Sequence, residues 1–217
     1  MLGSMIASYA AIILNGNNTS GTKQGLSEEK IAEYEAAYAK EEAEFKEVTK
    51  GDFDKFIAYK SEIKGFNEAA ANSGGVQTKD LRIGSGRELK EGDTDYLAYY
   101  VGWCADESIF DSSFDDKDNP TAFVRALDAS MGLIEGWNKG VIGMKLGGVR
   151  IVTIASELAY GDTTEICGGY NKPLRFMIMV RPNEGELATA ARELDNAYMK
   201  LQYAQNGIDY DAMFVGE

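Results

Sequence analysis

Hydrophobic and polar positions fall into three periodic stretches along the chain. From Ser27, apolar residues recur at helical spacing as Ile31, Tyr34, Tyr38 and Phe45, with charged residues between them. Ser27 is an N-cap candidate, and Glu28 and Glu29 suit the positive end of a helix dipole. Gly51 then interrupts, and Asp52 can cap a second helix carrying Phe53, Phe56, Ile57, Ile63 and Phe66. The run Ala69–Gly75 ends it. Two amphipathic helices, as a hairpin or a bent pair, are therefore expected across 27–75. Their apolar stripes need a partner, because such helices are marginal alone. That partner is either the chain's own globular domain or another copy or client.

The period shortens to that of strands from about Gln77 to Arg181. LRI, DYLAYYVGWCAD, ESIFDSS, VRIVTIAS and LRFMIMVRP alternate or are fully apolar. Only one short helix is suggested among them, near Ile134–Met144. An antiparallel sheet with one short helix is an α+β arrangement. Gly84 and Gly86 lie between strand-like runs and read as a turn, not a nucleotide loop. After Pro182 the helical period returns with Leu187, Ala190, Ala191, Leu194, Tyr198 and Leu201, and Gly207 reads as a stop signal. The chain divides on this reading into a tether (1–26), a helical extension (27–75), the β-rich domain (76–182) and a helical tail (183–217).

Residues 1–14 are apolar but too short for a membrane span of about 20 residues. They lack the positive start of a signal peptide. They fit either the remnant of a membrane anchor or a sticky terminus.

Composition narrows the chemistry. The 217 residues carry a net charge of −13. This disfavours nucleic acids and anionic membrane surfaces as partners, since both would repel the chain. There is no histidine. Ser-His-Asp and Cys-His nucleophilic arrangements and His-based metal sites are thereby excluded. The two cysteines, Cys104 and Cys167, form no CxxC pattern. They are either buried free thiols or one long-range disulfide. The acidic loop Asp111–Asp118 lacks the glycine and terminal glutamate of an EF-hand and reads as a solvated loop.

The stretch Phe110–Trp137, followed by LAYG at 158–161, suggests the lining of a small apolar pocket with one acidic corner. Here the residues carry a resemblance. Tyr100-Val-Gly-Trp, FDSS from Phe110, Pro120 with Phe123, GLIEGWNKGVIGMKLGG from Gly132, LAYG, and the closing strand LRFMIMV look like the FKBP-type peptidyl-prolyl cis-trans isomerases. The resemblance covers about Gln77–Pro182 and leaves the helices on either side unaccounted for.

It implies a curved antiparallel sheet wrapped around a short helix, with an N-terminal helical extension and a C-terminal helix added here. Carried over by position, Tyr100, Phe110, Asp111 and Tyr160 would be catalytic, and Leu133, Ile134, Trp137 and Phe176 would bind substrate. Trp137 would be the floor under the proline ring; Tyr100, Phe110 and Phe176 would be its walls. The Ile134 N–H and the Tyr160 hydroxyl would hold substrate carbonyls. Asp111 would accept from Tyr100. No metal or other cofactor is implied. Partners would be proline-containing clients, with a homodimer through the N-terminal helices as a further expectation. In this fold the strand that ends at Cys104 and the closing strand that follows Cys167 are antiparallel neighbours. The resemblance therefore makes a Cys104–Cys167 disulfide geometrically plausible, and with it an extracytoplasmic protein, with a membrane anchor as a further expectation.

The chain departs from the family pattern in three places that bear on activity, one of them Thr121, which stands where an aromatic often follows the loop proline. Asp116 stands where an arginine is usual, and the stretch after LAYG, Asp162–Leu174, lacks the longer glycine-rich loop with its Ile-Pro-Pro close. The alternative expectation is therefore an FKBP-like binding or chaperone module with little or no isomerase activity.

Overall fold

The computed structural model describes residues 26–214; the apolar and polar tether expected over 1–26 lies almost wholly outside the described residues. The elements run α1 (Glu28–Ile57), α2 (Glu68–Ser73), β1 (Val76–Arg82), β2 (Tyr96–Trp103), β3 (Ile109–Ser112), β4 (Leu127–Asp128), α3 (Glu135–Val141), β5 (Val149–Ile154), β6 (Leu174–Pro182) and α4 (Gly185–Gln205). Residues 39–196 form one compact unit; of the other described residues, 26–38 and 197–214 form another.

The larger unit is built on an antiparallel sheet in the order β1-β5-β6-β2-β3, with β4 pairing β2 beside it. β2 and β6 are its spine, in register from Tyr96 opposite Pro182 to Trp103 opposite Arg175. Alternate residues of these strands face opposite ways. Tyr96, Ala98 and Tyr100 of β2 join Leu174, Phe176, Ile178 and Val180 of β6 in a core that includes Trp137 and Val141 of α3. The sheet thus wraps α3, as the α+β reading requires.

The other face is buried too, and by α1. Phe123 stacks on Tyr99 with ring centroids 4.1 Å apart. Phe53 and Phe56 meet Phe123 edge-on at 5.4 and 5.6 Å. Asp52 anchors the same helix to the sheet by an ion pair with Arg181 of β6 at 2.5 Å. With both faces covered, every residue of β2 is buried. This accounts for its unbroken apolar run, YLAYYVGW.

The expected break at Gly51 does not occur. α1 is one helix of 30 residues. A glycine inside a helix costs only about 1 kcal/mol, and burial of Phe45 and Phe56, both at 0% exposure, outweighs it. Asp52 is an ion-pair partner of Arg181, not a cap. Ile63 and Phe66 lie beyond the helix, and Phe66 receives the Arg175 guanidinium over its ring at 4.3 Å. Ser27 does cap α1, accepting from the Lys30 N–H at 3.2 Å.

The segment 69–75, read as the end of a helix, is mostly a separate element, α2, capped by Asn67. It buttresses the loops beyond β5. Asn72 Oδ1 accepts from the Ser156 N–H at 2.9 Å, and Glu68 pairs with Lys172 at 2.9 Å. Ser85 and Gly86 form a bend, and the Gly86 N–H donates to Leu146 O at 3.0 Å.

In the smaller unit, the Tyr34 hydroxyl donates to Asp209 at 2.8 Å, and Lys200 pairs with Asp211 at 2.7 Å. Tyr38 and Tyr198 pack with centroids 6.1 Å apart. Gly207, at φ +75°, follows the end of α4. Among the described residues no helix is long and apolar enough to cross a membrane.

Candidate active site

The concave side of β2 and β6 brings the sequence-selected rings together. Trp137, in the first turn of α3, meets Phe176 at 5.3 Å and Tyr100 at 5.5 Å, both edge-to-face. Phe110 on β3 meets Phe176 at 5.5 Å and 89°. Such tilted pairs are the favoured geometry for aromatic quadrupoles.

Gly102 permits the Phe110–Phe176 contact. A Cβ there would lie 2.6 Å from Phe110 and 2.8 Å from Phe176. The glycine of the YVGW stretch therefore leaves room for two rings.

Two backbone devices fix α3 under these rings. Ile134 occupies the N-cap position, and the Trp137 N–H donates to its carbonyl at 3.0 Å. At the other end Arg150 donates to the carbonyls of Gly140 at 3.0 Å and Ile142 at 2.8 Å. Asp80 balances this buried guanidinium at 2.6 Å. Leu133 and Ile134 are partly buried against the core, as are Phe110 and Tyr160. The eight residues selected from sequence are thus all placed at or against one cluster.

Asp111 is the acidic member. Its Oδ2 accepts from the Tyr100 hydroxyl at 2.6 Å, and its Oδ1 accepts from the Ser112 N–H at 2.9 Å. Burial pushes its carboxyl above the usual range, and these two hydrogen bonds offset part of the rise. Burial also raises the Tyr100 hydroxyl well above its usual value, aided by the negative charge of Asp111 and opposed by Arg125. The Tyr160 hydroxyl is pushed up to about 12, by burial first and by Asp111 second. Both phenols therefore stay protonated and able to donate at neutral pH.

Three contributors escaped the sequence reading. Arg125 supplies positive charge near Tyr100 and is itself held by Asp195 of α4 at 3.1 Å. Gly102 makes room for the rings. Tyr96 touches the underside of Trp137. Only Tyr96 left a usable signal, since it shares the alternate-residue face of Tyr100.

Asp116, where an arginine was expected, is exposed and donates its N–H to Asp115 at 2.8 Å. Asp115 organises the acidic loop, accepting from the Thr121 hydroxyl at 2.6 Å and the Thr121 N–H at 3.0 Å. Among the described residues no group of three or more acidic or cysteine side chains is placed to hold a metal ion.

The shortened loop after Tyr160 closes as a miniature hairpin. Ile166 and Gly169 exchange N–H···O bonds of 2.9 and 3.1 Å. Between them Cys167 and Gly168 have φ of +56° and +75°, the signature of a type I′ turn. Cys167 is disulfide-bonded to Cys104, with Cα atoms 5.5 Å apart. The bond ties this turn to the end of β2, and Ile166 packs against the core beside the site.

Comparison with known proteins agrees with this architecture. Residues 86–181 match the family described as FKBP-type peptidyl-prolyl cis-trans isomerase. An "FK506-binding protein" of Neisseria meningitidis serogroup B is 37% identical over 91 residues, covering 41% of this chain and 76% of that protein. The chain belongs to the FKBP family.

FKBP relatives with longer chains match as well. "FK506-binding protein 4" of Gibberella zeae is 41% identical over 89 residues, which is 41% of this chain and 17% of that one. The chloroplastic "Peptidyl-prolyl cis-trans isomerase FKBP17-1" of Arabidopsis thaliana is 39% identical over 100 residues, which is 43% of this chain and 42% of that one. In all three the likeness covers a minority of the present chain. α1 and α4 are additions to that domain.

Proposed function

We propose that the protein is a peptidyl-prolyl cis-trans isomerase that acts on proline-containing segments of client polypeptides. The observation that carries this reading is the ring cluster of Tyr100, Phe110, Trp137 and Phe176 around the Tyr100–Asp111 hydrogen bond. Amide resonance sets a rotation barrier of about 18–20 kcal/mol. Lowering it requires no nucleophile, metal or histidine. It requires a surface that grips the proline ring, removes water from the amide and favours the twisted bond. Trp137 would lie under the proline ring, with the other rings as walls. The Ile134 N–H and the Tyr160 hydroxyl would hold client carbonyls, and Asp111 would face the twisting amide.

Refolding of a client limited by X-Pro exchange tests the reading. The uncatalysed step takes tens of seconds. Acceleration by the protein, lost in Tyr160→Phe or Asp111→Leu, is the expected result. Binding of FK506 without acceleration would instead support a second reading, a binding module without turnover. Asp116 and the disulfide-tied loop are the features that favour that second reading.

The Cys104–Cys167 bond further supports an oxidising location outside the cytoplasm. Two free thiols in protein taken from its native compartment would overturn that placement.

A further inference from the structure

Trp137 is anchored from below by a polar contact. Its indole Nε1–H donates to the Tyr96 hydroxyl at 3.2 Å. Both residues are buried, Trp137 at 2% exposure and Tyr96 at 1%. The indole has a single donor, and leaving it without a partner in an apolar core is costly. Its other neighbours, Tyr100 and Phe176, offer ring edges at 5.5 and 5.3 Å. Ring contacts select an orientation only weakly, whereas a hydrogen bond is directional. Tyr96 therefore decides which way the indole lies between those rings. It is also well supported for that task, being paired through the β2–β6 ladder with Pro182.

We propose that Tyr96 is a positioning residue for prolyl isomerisation. Its hydroxyl orients Trp137 and so shapes the surface under the proline ring. This rests on the reading of Trp137 as that surface. Tyr96 is too deeply buried to touch a client, so it acts only through the indole.

The test compares the full chain with its Tyr96→Phe variant, which keeps the ring and removes the hydroxyl. Proton NMR of the indole N–H groups has an internal control in Trp103, whose Nε1–H donates to Lys64 O at 2.9 Å. Expected are a moved and faster-exchanging Trp137 indole signal and an unmoved Trp103 signal. Expected too are a KM for an X-Pro peptide and a Kd for FK506 raised about five- to tenfold, with kcat within about twofold of wild type. A moved indole signal with unchanged KM and Kd overturns the proposal, as does an unmoved signal. Indole hydrogen exchange in the wild type needs no variant to fold; a Trp137 indole exchanging as fast as free indole also overturns it. A wild-type protein that neither isomerises nor binds FK506 overturns the proposed function, and Tyr96's part in it. An active wild type whose KM ignores Tyr96 overturns only the latter.

Discussion

The Tyr100 hydroxyl donates to Asp111 Oδ2 at 2.6 Å, across the β2–β3 pair in a partly buried position. The bond makes a phenol and a carboxylate one unit: Asp111 adds to the resistance of the Tyr100 hydroxyl to ionisation, whereas the bond from Tyr100 favours the ionised carboxylate and offsets part of the rise that burial causes. Removing either partner leaves the other buried and incompletely paired.

Asp111→Leu and Tyr100→Phe should each lower kcat/KM on an X-Pro peptide by about tenfold or more, a loss of roughly 1.4 kcal/mol in transition-state binding. Exchange NMR or a coupled assay measures this. The prediction fails if both variants stay folded and turn over as the wild type does.

Asp111 also gives a signed pH prediction. Its carboxyl is raised above 3.8 in the folded protein, chiefly by burial. The folded state therefore binds this proton more tightly than the unfolded chain does. Its favourable contribution is full below the unfolded value and is lost as pH rises through the folded one. The melting temperature of Asp111→Asn relative to wild type should accordingly be higher at pH 7 than at pH 3. Thermal melts across that range check the direction.

Breaking the disulfide enlarges the unfolded ensemble. Cys104 and Cys167 are 63 positions apart. Chain entropy for a loop of that size corresponds to about 4 kcal/mol. Urea unfolding of the oxidised protein and of a Cys104→Ser/Cys167→Ser variant should differ by that order. Equal midpoints would mean that the bond contributes nothing.

α1 supports opposite predictions at two nearby positions. Phe56 is fully buried among Phe114 and Phe123, so Phe56→Ala should cost about 3–5 kcal/mol. Gly51 is exposed on the same helix, and a Cβ there would meet nothing within 4 Å. Gly51→Ala should therefore stabilise by about 0.5–1 kcal/mol. Urea midpoints settle both signs.

The strands and the residues that gather in the candidate site were legible because their signals are local. The alternation in β2 and β6, the FDSS and LAYG stretches and the Gly-Leu-Ile-Glu-Gly-Trp run stand in the sequence itself. The break at Gly51 was misread because propensity counts a glycine's cost where it stands. The burial of Phe45 and Phe56 that outweighs it comes from residues far along the chain. Arg125 was overlooked for the same reason. Its partner, Asp195, lies beyond the domain, on a helix with no motif of its own.

By itself the sequence determined the alternating strands, the single short helix among them and the absence of histidine-based chemistry. These follow from residue type and near-neighbour spacing, which act through local backbone geometry; the aromatic residues of the candidate site were named by the resemblance to the FKBP family. Tertiary structure alone decided that α1 is continuous and covers the second face of the sheet. It also decided that Gly102 admits two rings, and that the Tyr96 hydroxyl meets the Trp137 indole 41 positions away. Each of these depends on what the folded chain brings alongside a residue, and burial and directional bonding take their energies from that neighbour.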